Sequence, residues 1–99
     1  MYSFDLSEQA ERDLFSIITY ISFDLFNPDV ADTLNDDIFK TIHDLTLFPE
    51  SHPVIFKVKY EYRRAVVRKY KIIYYVEDEV VVVARIYAPK QLINEEKTT

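Results

Sequence analysis

The spacing of apolar residues changes once along this chain, and the change divides it into a helical part and a sheet part. Before Pro49, apolar side chains recur every three or four residues, as they do on one face of an α-helix. After Pro53, they alternate with charged ones, as in a strand with one buried face. Helices and sheets of this kind must cover each other's apolar faces. The order therefore favours an α+β fold in which helices pack on one face of a small antiparallel sheet.

Two helices are predicted in the first part. Ser7 is a suitable N-cap for a helix from about Glu8 to Phe23. Asn27 is placed to cap a second helix, Pro28 to Leu47, because proline is favoured at the first helical position. The link between them is short, so we expect an antiparallel helical hairpin.

Strands are expected before and after this hairpin. Their predicted limits are Tyr2–Leu6, Tyr62–Val67, Lys71–Val76 and Val80–Tyr87, with tight turns at Arg68-Lys69 and Glu77-Asp78-Glu79. The last three strands are joined by tight turns, so they should be antiparallel neighbours. The alternating run Phe56–Arg63 leaves room for a further strand.

Absent residue types exclude several kinds of site. The 99 residues include no glycine, so there is no glycine-rich phosphate loop, and turns must adopt positive φ with other residues. They also include no cysteine, so there is neither a disulfide framework nor a thiolate metal site. His43 and His52, the two histidines, are too far apart in the sequence to suggest metal binding. We expect no metal and no cofactor.

The chain has the length of one small domain, 1–99, with a polar tail from about residue 91. Its N-terminus does not resemble a signal peptide, and no apolar run is long enough to cross a membrane. These features predict a cytoplasmic protein.

Charge is divided between the two halves of the chain. Residues 1–50 carry eleven acidic and two basic groups, whereas residues 51–99 carry six acidic and ten basic groups. Seven bases and a single acid, Glu61, lie between Lys57 and Lys71. Acidic helices would repel a polyanion, so any phosphate-bearing partner should approach the sheet.

The basic cluster has two interpretations. Its members, Arg63, Arg64, Arg68, Lys69 and Lys71, are suited to binding phosphates, or to discouraging association of exposed strand edges. Strand alternation places Arg63 and Arg64 on opposite faces. Arg85 lies within the apolar last strand, where a charge needs a partner. It is either an anchor for a phosphate or acidic peptide, or an ion pair with an acid on one of the helices.

Two passages of the chain resemble the RelE/ParE superfamily of toxins from type II toxin–antitoxin modules. The segment SEQAERDLFSIITYI is similar to the first helix of that family, and YRRAVVRKYKIIYYVEDEVVVVARIY is similar to its paired strands. The leucine and proline at Leu45 and Pro49 also match the exit from the second helix. The resemblance implies a toxin fold and a cognate antitoxin that neutralises it.

The resemblance leaves the mechanism open between two branches. One is a ParE-like inhibitor of DNA gyrase that acts through a basic sheet face. The other is a RelE-like endoribonuclease that cuts mRNA on the ribosome. A third alternative is a degenerate, non-toxic interaction module. Where many family members have histidine, arginine and aspartate after the last strand, this chain has Ala88, Lys90 and Leu92. This difference favours the non-enzymatic branch.

The resemblance and the charges together suggest roles for individual residues. Target or phosphate binding is assigned to Arg63, Arg64, Arg68, Lys69, Lys71, Arg85 and Lys90, and antitoxin binding to Lys57, Lys59, Arg64 and Arg85. If the chain is an enzyme, its catalytic candidates are Arg64, Lys71, His52 and Tyr87. His52 has a suitable intrinsic pKa for a general base, but the sequence shows no partner for it.

Overall fold

The fold combines a helical hairpin with a five-stranded sheet, as the periodicity predicts. The computed structural model describes residues 2–91, and its elements are β1 (Ser3–Leu6), α1 (Glu8–Thr19), a π-helical turn (Tyr20–Asp24), α2 (Pro28–Leu47), β2 (Val54–Lys57), β3 (Glu61–Val67), β4 (Tyr70–Glu77) and β5 (Val80–Tyr87). The sequence predicts a polar tail from about residue 91, and positions 92–99 of that tail lie outside the described residues. None of the helices in residues 2–91 is long and apolar enough to cross a membrane.

The sheet is antiparallel except at one edge. Its order is β1-β5-β4-β3-β2, and the neighbours from β5 to β2 are antiparallel. The first strand pairs in parallel with β5, with Ser3 opposite Val80 and Leu6 opposite Val83. The predicted strand at the N-terminus is therefore confirmed, and the sheet as a whole is mixed.

The helices cover one face of the sheet and form the main core with it. The buried members of this core include Leu34, Ile38, Ile42 and Leu45 from α2, and Ala65, Ile72, Tyr74, Val81, Val83 and Ile86 from the strands. The opposite face, which we call the outer face, has a smaller cluster of Tyr62, Ile73, Ala84 and Tyr87. Because strand residues alternate, this arrangement also determines which face each charged neighbour occupies.

The helix starts agree with the sequence, but the end of the first helix differs from it. Ser7 Oγ accepts a hydrogen bond from the Ala10 amide at 3.0 Å and donates one to the Ala84 carbonyl at 2.8 Å. Asn27 Oδ1 accepts one from the Val30 amide at 3.3 Å. The first helix runs to Asp24, close to the predicted end at Phe23, but its backbone widens from α-helix to π-helix at Tyr20, which the sequence did not predict.

Both tight hairpins turn without glycine. The central residues have positive φ at each turn, 48° and 68° for Arg68 and Lys69, and 52° and 62° for Asp78 and Glu79. Two-residue turns with this geometry match the twist of the flanking strands, which explains why four residues with side chains adopt a left-handed conformation here.

Candidate functional site

Part of the predicted basic site assembles on the outer face. Across the sheet, Arg64 lies opposite Ile73, and Ile73 lies opposite Arg85. Two residues closer to the β3–β4 turn than Ile73, Lys71 lies opposite Tyr87. Side chains on neighbouring strands that are offset by two residues lie about 7–8 Å apart. The register therefore groups three basic residues around Ile73 and Tyr87.

Arg85 is neutralised by an acid from the first helix. Its Nε and one terminal nitrogen donate to the two carboxylate oxygens of Asp13 at 2.8 and 3.1 Å. The pair is buried, with side-chain exposures of 9% for Arg85 and 10% for Asp13. The hydrogen bond to Asp13 raises the pKa of the Arg85 guanidinium. The ion-pair alternative for Arg85 is therefore the one observed.

A bulge in β5 positions this ion pair. The register with β4 shifts between Ile73 and Tyr74, so that Arg85 pairs with Ile73 and Val83 with Tyr74. The extra residue, Ala84, changes the direction in which the strand presents its next side chains. The Arg85 guanidinium then also lies 4.7 Å from the centre of the Tyr87 ring.

Arg64 and Lys71 also lie on the outer face, and neither forms an ion pair with an acidic residue within residues 2–91. Arg64 is half-buried, and its buried Nε has no hydrogen-bond partner among those residues. Lys71 Nζ donates to the Gln91 carbonyl at 3.2 Å, which leaves its charge without an acidic partner in the same part of the chain. Both cations can therefore contact an anion at this face.

Arg63 points to the other side, as the strand alternation predicts, and has a structural role. It donates to the carbonyls of Glu50 and His52 at 3.2 and 2.6 Å and approaches Glu61 at 3.7 Å. These contacts hold the loop between α2 and β2 against the sheet.

The remaining predicted basic residues are spread over the surface. Arg68 forms an ion pair with Asp37 at 2.6 Å, and Lys57 forms one with Glu61 at 3.0 Å. Lys59 Nζ lies 5.4 Å from the centre of the Tyr60 ring. Lys69 and Lys90 are exposed and lack an acidic partner among residues 2–91.

The two acid–base candidates lie on different sides of the sheet. His52 packs its ring edge-on to Tyr74 with centroids 6.3 Å apart, and Tyr74 belongs to the core beneath the helices. Burial raises the pKa of Tyr74 to about 12, and its hydroxyl donates to the Pro49 carbonyl at 2.7 Å. Tyr87 belongs to the cluster on the outer face. The structure therefore does not bring His52 and Tyr87 together, and no group of metal-ligating side chains occurs within residues 2–91.

Sequence reasoning missed an apolar cleft beside the helices. It has a volume of about 540 Å³, and its walls include Phe4, Leu14, Phe15, Ile18 and Phe39, with Asp5 and Glu11 also lining it. Phe15 did offer a signal, because it is a large apolar residue beside the helical stripe rather than in it.

Comparisons with known proteins agree with this architecture. The family model described as "ParE toxin of type II toxin-antitoxin system, parDE" matches residues 4–92. No curated protein sequence matched the chain. A chain of the chromosomal ParDE toxin–antitoxin system from P. aeruginosa superposes with a TM-score of 0.76 at 18% identity, covering 91% of this chain and 98% of that one.

RelE structures are similar as well. A chain of the intact E. coli RelBE toxin–antitoxin complex gives a TM-score of 0.64 at 17% identity, covering 92% of this chain and 100% of that one. The isolated E. coli RelE toxin gives the same score and identity, covering 93% and 88%. At these identities the likeness shows a shared fold.

The family match establishes the class of protein. Because the match spans nearly the whole chain, the protein belongs to the ParE toxins of type II toxin–antitoxin systems, within the RelE/ParE superfamily. It is a type II toxin, and the ParE-like interpretation is better supported than the RelE-like one.

Proposed function

We propose that this toxin arrests growth by binding DNA gyrase through the outer face of its sheet, in the cytoplasm. The observation that carries the proposal is the placement of Arg64 and Lys71 on one face, without acidic partners in residues 2–91. Two adjacent cations suit the phosphate backbone of the DNA that gyrase holds, and Arg64 adds bidentate geometry to the contact. Lys69 and Lys90, which are exposed, extend the same positive field.

Binding explains the site better than cleavage does. A ribonuclease needs a proton acceptor, a proton donor and positive charge around one phosphate. The outer face has the positive charge, but His52 lies beside Tyr74 on the other side of the sheet. Arg85, which was a candidate for phosphate contact, is already paired with Asp13. An inhibitor that acts by complementary contact needs only the surface that remains.

The alternative function is ribosome-dependent cleavage of mRNA. One observation favours it, the location of Tyr87 opposite Lys71 and 4.7 Å from the Arg85 guanidinium. A tyrosine hydroxyl beside cations is able to take part in proton transfer.

The partner that neutralises the toxin is a cognate antitoxin with two kinds of contact. Its apolar side chains would enter the cleft between β1 and the helices, which is lined mainly by phenylalanine, leucine and isoleucine. Its acidic side chains would approach the basic strands, where the sequence assigns this contact to Lys57, Lys59 and Arg64. Arg85 would contribute less to this contact than the sequence predicts, because Asp13 already occupies its guanidinium.

The test reverses charge at the proposed site. We expect Arg64→Glu combined with Lys71→Glu to abolish growth arrest and to weaken inhibition of gyrase supercoiling more than tenfold, because both cations would become repulsive to phosphate. The matched control is Arg12→Glu with Lys40→Glu, which makes the same charge change on exposed helix positions. Circular dichroism would verify that both variants fold.

A second pair of measurements separates inhibition from cleavage. We expect His52→Ala to retain growth arrest, and the purified protein to leave mRNA intact on programmed ribosomes. Cleavage of that mRNA, lost on Tyr87→Phe or His52→Ala, would make the endoribonuclease the correct function. A folded protein that causes no growth arrest would support a degenerate interaction module instead.

A further inference from the structure

The tip of the helical hairpin presents large apolar side chains to solvent. Tyr20, Phe23, Leu25 and Phe26, which we call the aromatic tip, have exposures of 54%, 70%, 53% and 87%. Three of the four are aromatic, and all four fall within the seven-residue segment 20–26 between α1 and α2. A patch of this kind on a small protein is typical of a surface that binds a partner.

The backbone of the aromatic tip is irregular as well as apolar. Tyr20 to Asp24 form the π-helical turn, which is closed by a bond from the Leu25 amide to the Tyr20 carbonyl at 3.0 Å. Phe26 has a φ of 52°, a conformation that favours glycine or asparagine and is costly for a bulky residue. Since Phe26 is almost fully exposed, packing within residues 2–91 does not explain a phenylalanine there. Irregularities of both kinds occur preferentially at functional sites.

The charges around the aromatic tip indicate what kind of partner it suits. Between Arg12 and Lys40 the chain has six acidic residues and no lysine or arginine. Three of those acids, Asp24, Asp29 and Asp32, are exposed close to the tip in sequence. Nucleic acids and anionic membranes would be repelled by this surface. A protein surface with an apolar pocket bordered by lysine and arginine would be attracted to it.

The aromatic tip lies at the same end of the molecule as the basic residues of the outer face. Tyr20 helps to line a cleft of about 340 Å³ together with Ile86, Ala88 and Gln91. The carbonyl of Gln91 also accepts the hydrogen bond from Lys71 Nζ. One end of the molecule therefore presents an acidic, aromatic surface next to a basic one.

We propose that the aromatic tip is a protein-docking site, which binds the basic, DNA-handling surface of the target enzyme. This inference rests on the proposed function and extends it by assigning the two surfaces to different partners. The outer face contacts DNA phosphates through Arg64 and Lys71, while Phe23 and Phe26 enter an apolar pocket of the enzyme beside that DNA. A toxin bound in this way contacts the enzyme and its DNA together.

The test removes the apolar side chains without harming the fold. In the variant Phe23→Ser with Phe26→Asn, asparagine suits the left-handed backbone at position 26, so we expect the unfolding midpoint to remain equal or to rise. We expect binding to purified DNA gyrase, measured with linear DNA present, to weaken more than tenfold, and supercoiling inhibition to fall with it. The matched control is Phe48→Ser, because Phe48 has the same 70% exposure as Phe23 but lies at the opposite end of α2.

Several outcomes would overturn the inference. If the double variant inhibits gyrase as well as the unaltered toxin, the aromatic tip does not bind the enzyme, although the proposed function stands. If the unaltered toxin neither binds nor inhibits gyrase, the proposed function fails and this inference fails with it. If the unaltered toxin is a dimer in solution and the double variant is a monomer, the tip binds a second copy of the chain instead.

Discussion

The Asp13 carboxylate joins α1 to two adjacent residues of β5, which lie 72 and 73 positions further along the chain. It accepts two hydrogen bonds from the Arg85 guanidinium and a third from the Ile86 amide at 2.9 Å. The third bond satisfies a backbone group of β5 beyond Leu6 and Val83, the last residue pair shared with β1. One side chain thereby neutralises a buried cation and also extends the edge of the sheet.

We expect Asp13→Ala to lower the free energy of unfolding by about 3 kcal/mol, because it leaves a buried guanidinium without its counter-charge. Urea denaturation would measure the loss. Lys57→Ala is the control, since its ion pair with Glu61 is exposed and such pairs contribute little to stability. Asp13→Asn should fall between the two, because its amide oxygen still accepts from the Ile86 amide. Equal losses for Asp13→Ala and Lys57→Ala would contradict the role assigned to this ion pair.

The hairpins of the sheet carry conformational strain in their turns. All four central residues have a left-handed backbone conformation. Glycine, asparagine and aspartate suit this conformation, and only Asp78 among the four is of such a type. At Arg68, the ion pair with Asp37 offsets part of the free-energy cost of the left-handed conformation. No comparable ion pair is present for Lys69 or Glu79 among residues 2–91.

Glycine at these positions should therefore stabilise the protein. We expect Glu79→Gly and Lys69→Gly each to raise the free energy of unfolding by about 1 kcal/mol, since the left-handed conformation costs roughly that much for a residue with a Cβ atom. Glu77→Gly serves as the control, because Glu77 ends β4 without a positive φ and its carboxylate accepts from the Tyr60 hydroxyl at 2.7 Å, so the same change there should destabilise the protein. Thermal unfolding followed by circular dichroism would distinguish these signs. A loss of stability in Glu79→Gly would show that the turn is not strained.

The whole molecule has two surfaces of opposite charge, one on each layer of the fold, and they adjoin at the end that holds the aromatic tip. The acids of α1 and α2 lie in the helical layer, whereas Arg64 and Lys71 lie on the outer face of the sheet. This separation allows a single small protein to attract an acidic segment and a basic surface at different places.

Association with the cognate antitoxin should consequently depend on salt. We expect the association rate to fall about tenfold when the salt concentration rises from roughly 0.01 M to 0.15 M, because the screening length shortens from about 30 Å to about 8 Å. Stopped-flow mixing with the purified cognate antitoxin would measure it. The variant Arg64→Glu with Lys71→Glu should show a weaker dependence. Rates that do not change with salt would place the antitoxin away from the basic strands.

Local patterns determined much of this protein. The period of 3.6 residues defines α1 and α2, and the period of two separates Arg63 from Arg64 onto opposite faces. The paired turns follow from where the alternating runs stop. These features depend on residues close in sequence, so the sequence alone is enough to predict them.

Other features depend on contacts between distant residues, and only the tertiary structure decided them. Asp13 and Arg85 are 72 residues apart, so the sequence does not predict their ion pair. It therefore leaves two roles open for Arg85, binding a ligand or forming a structural ion pair. The parallel pairing of β1 with β5 leaves no signal in either strand. The sequence places Phe26 in the short link between the helices, and only the structure gives its positive φ and its exposure. For the ion pair and the parallel strand pairing, the stabilising free energy comes from groups that only folding brings together.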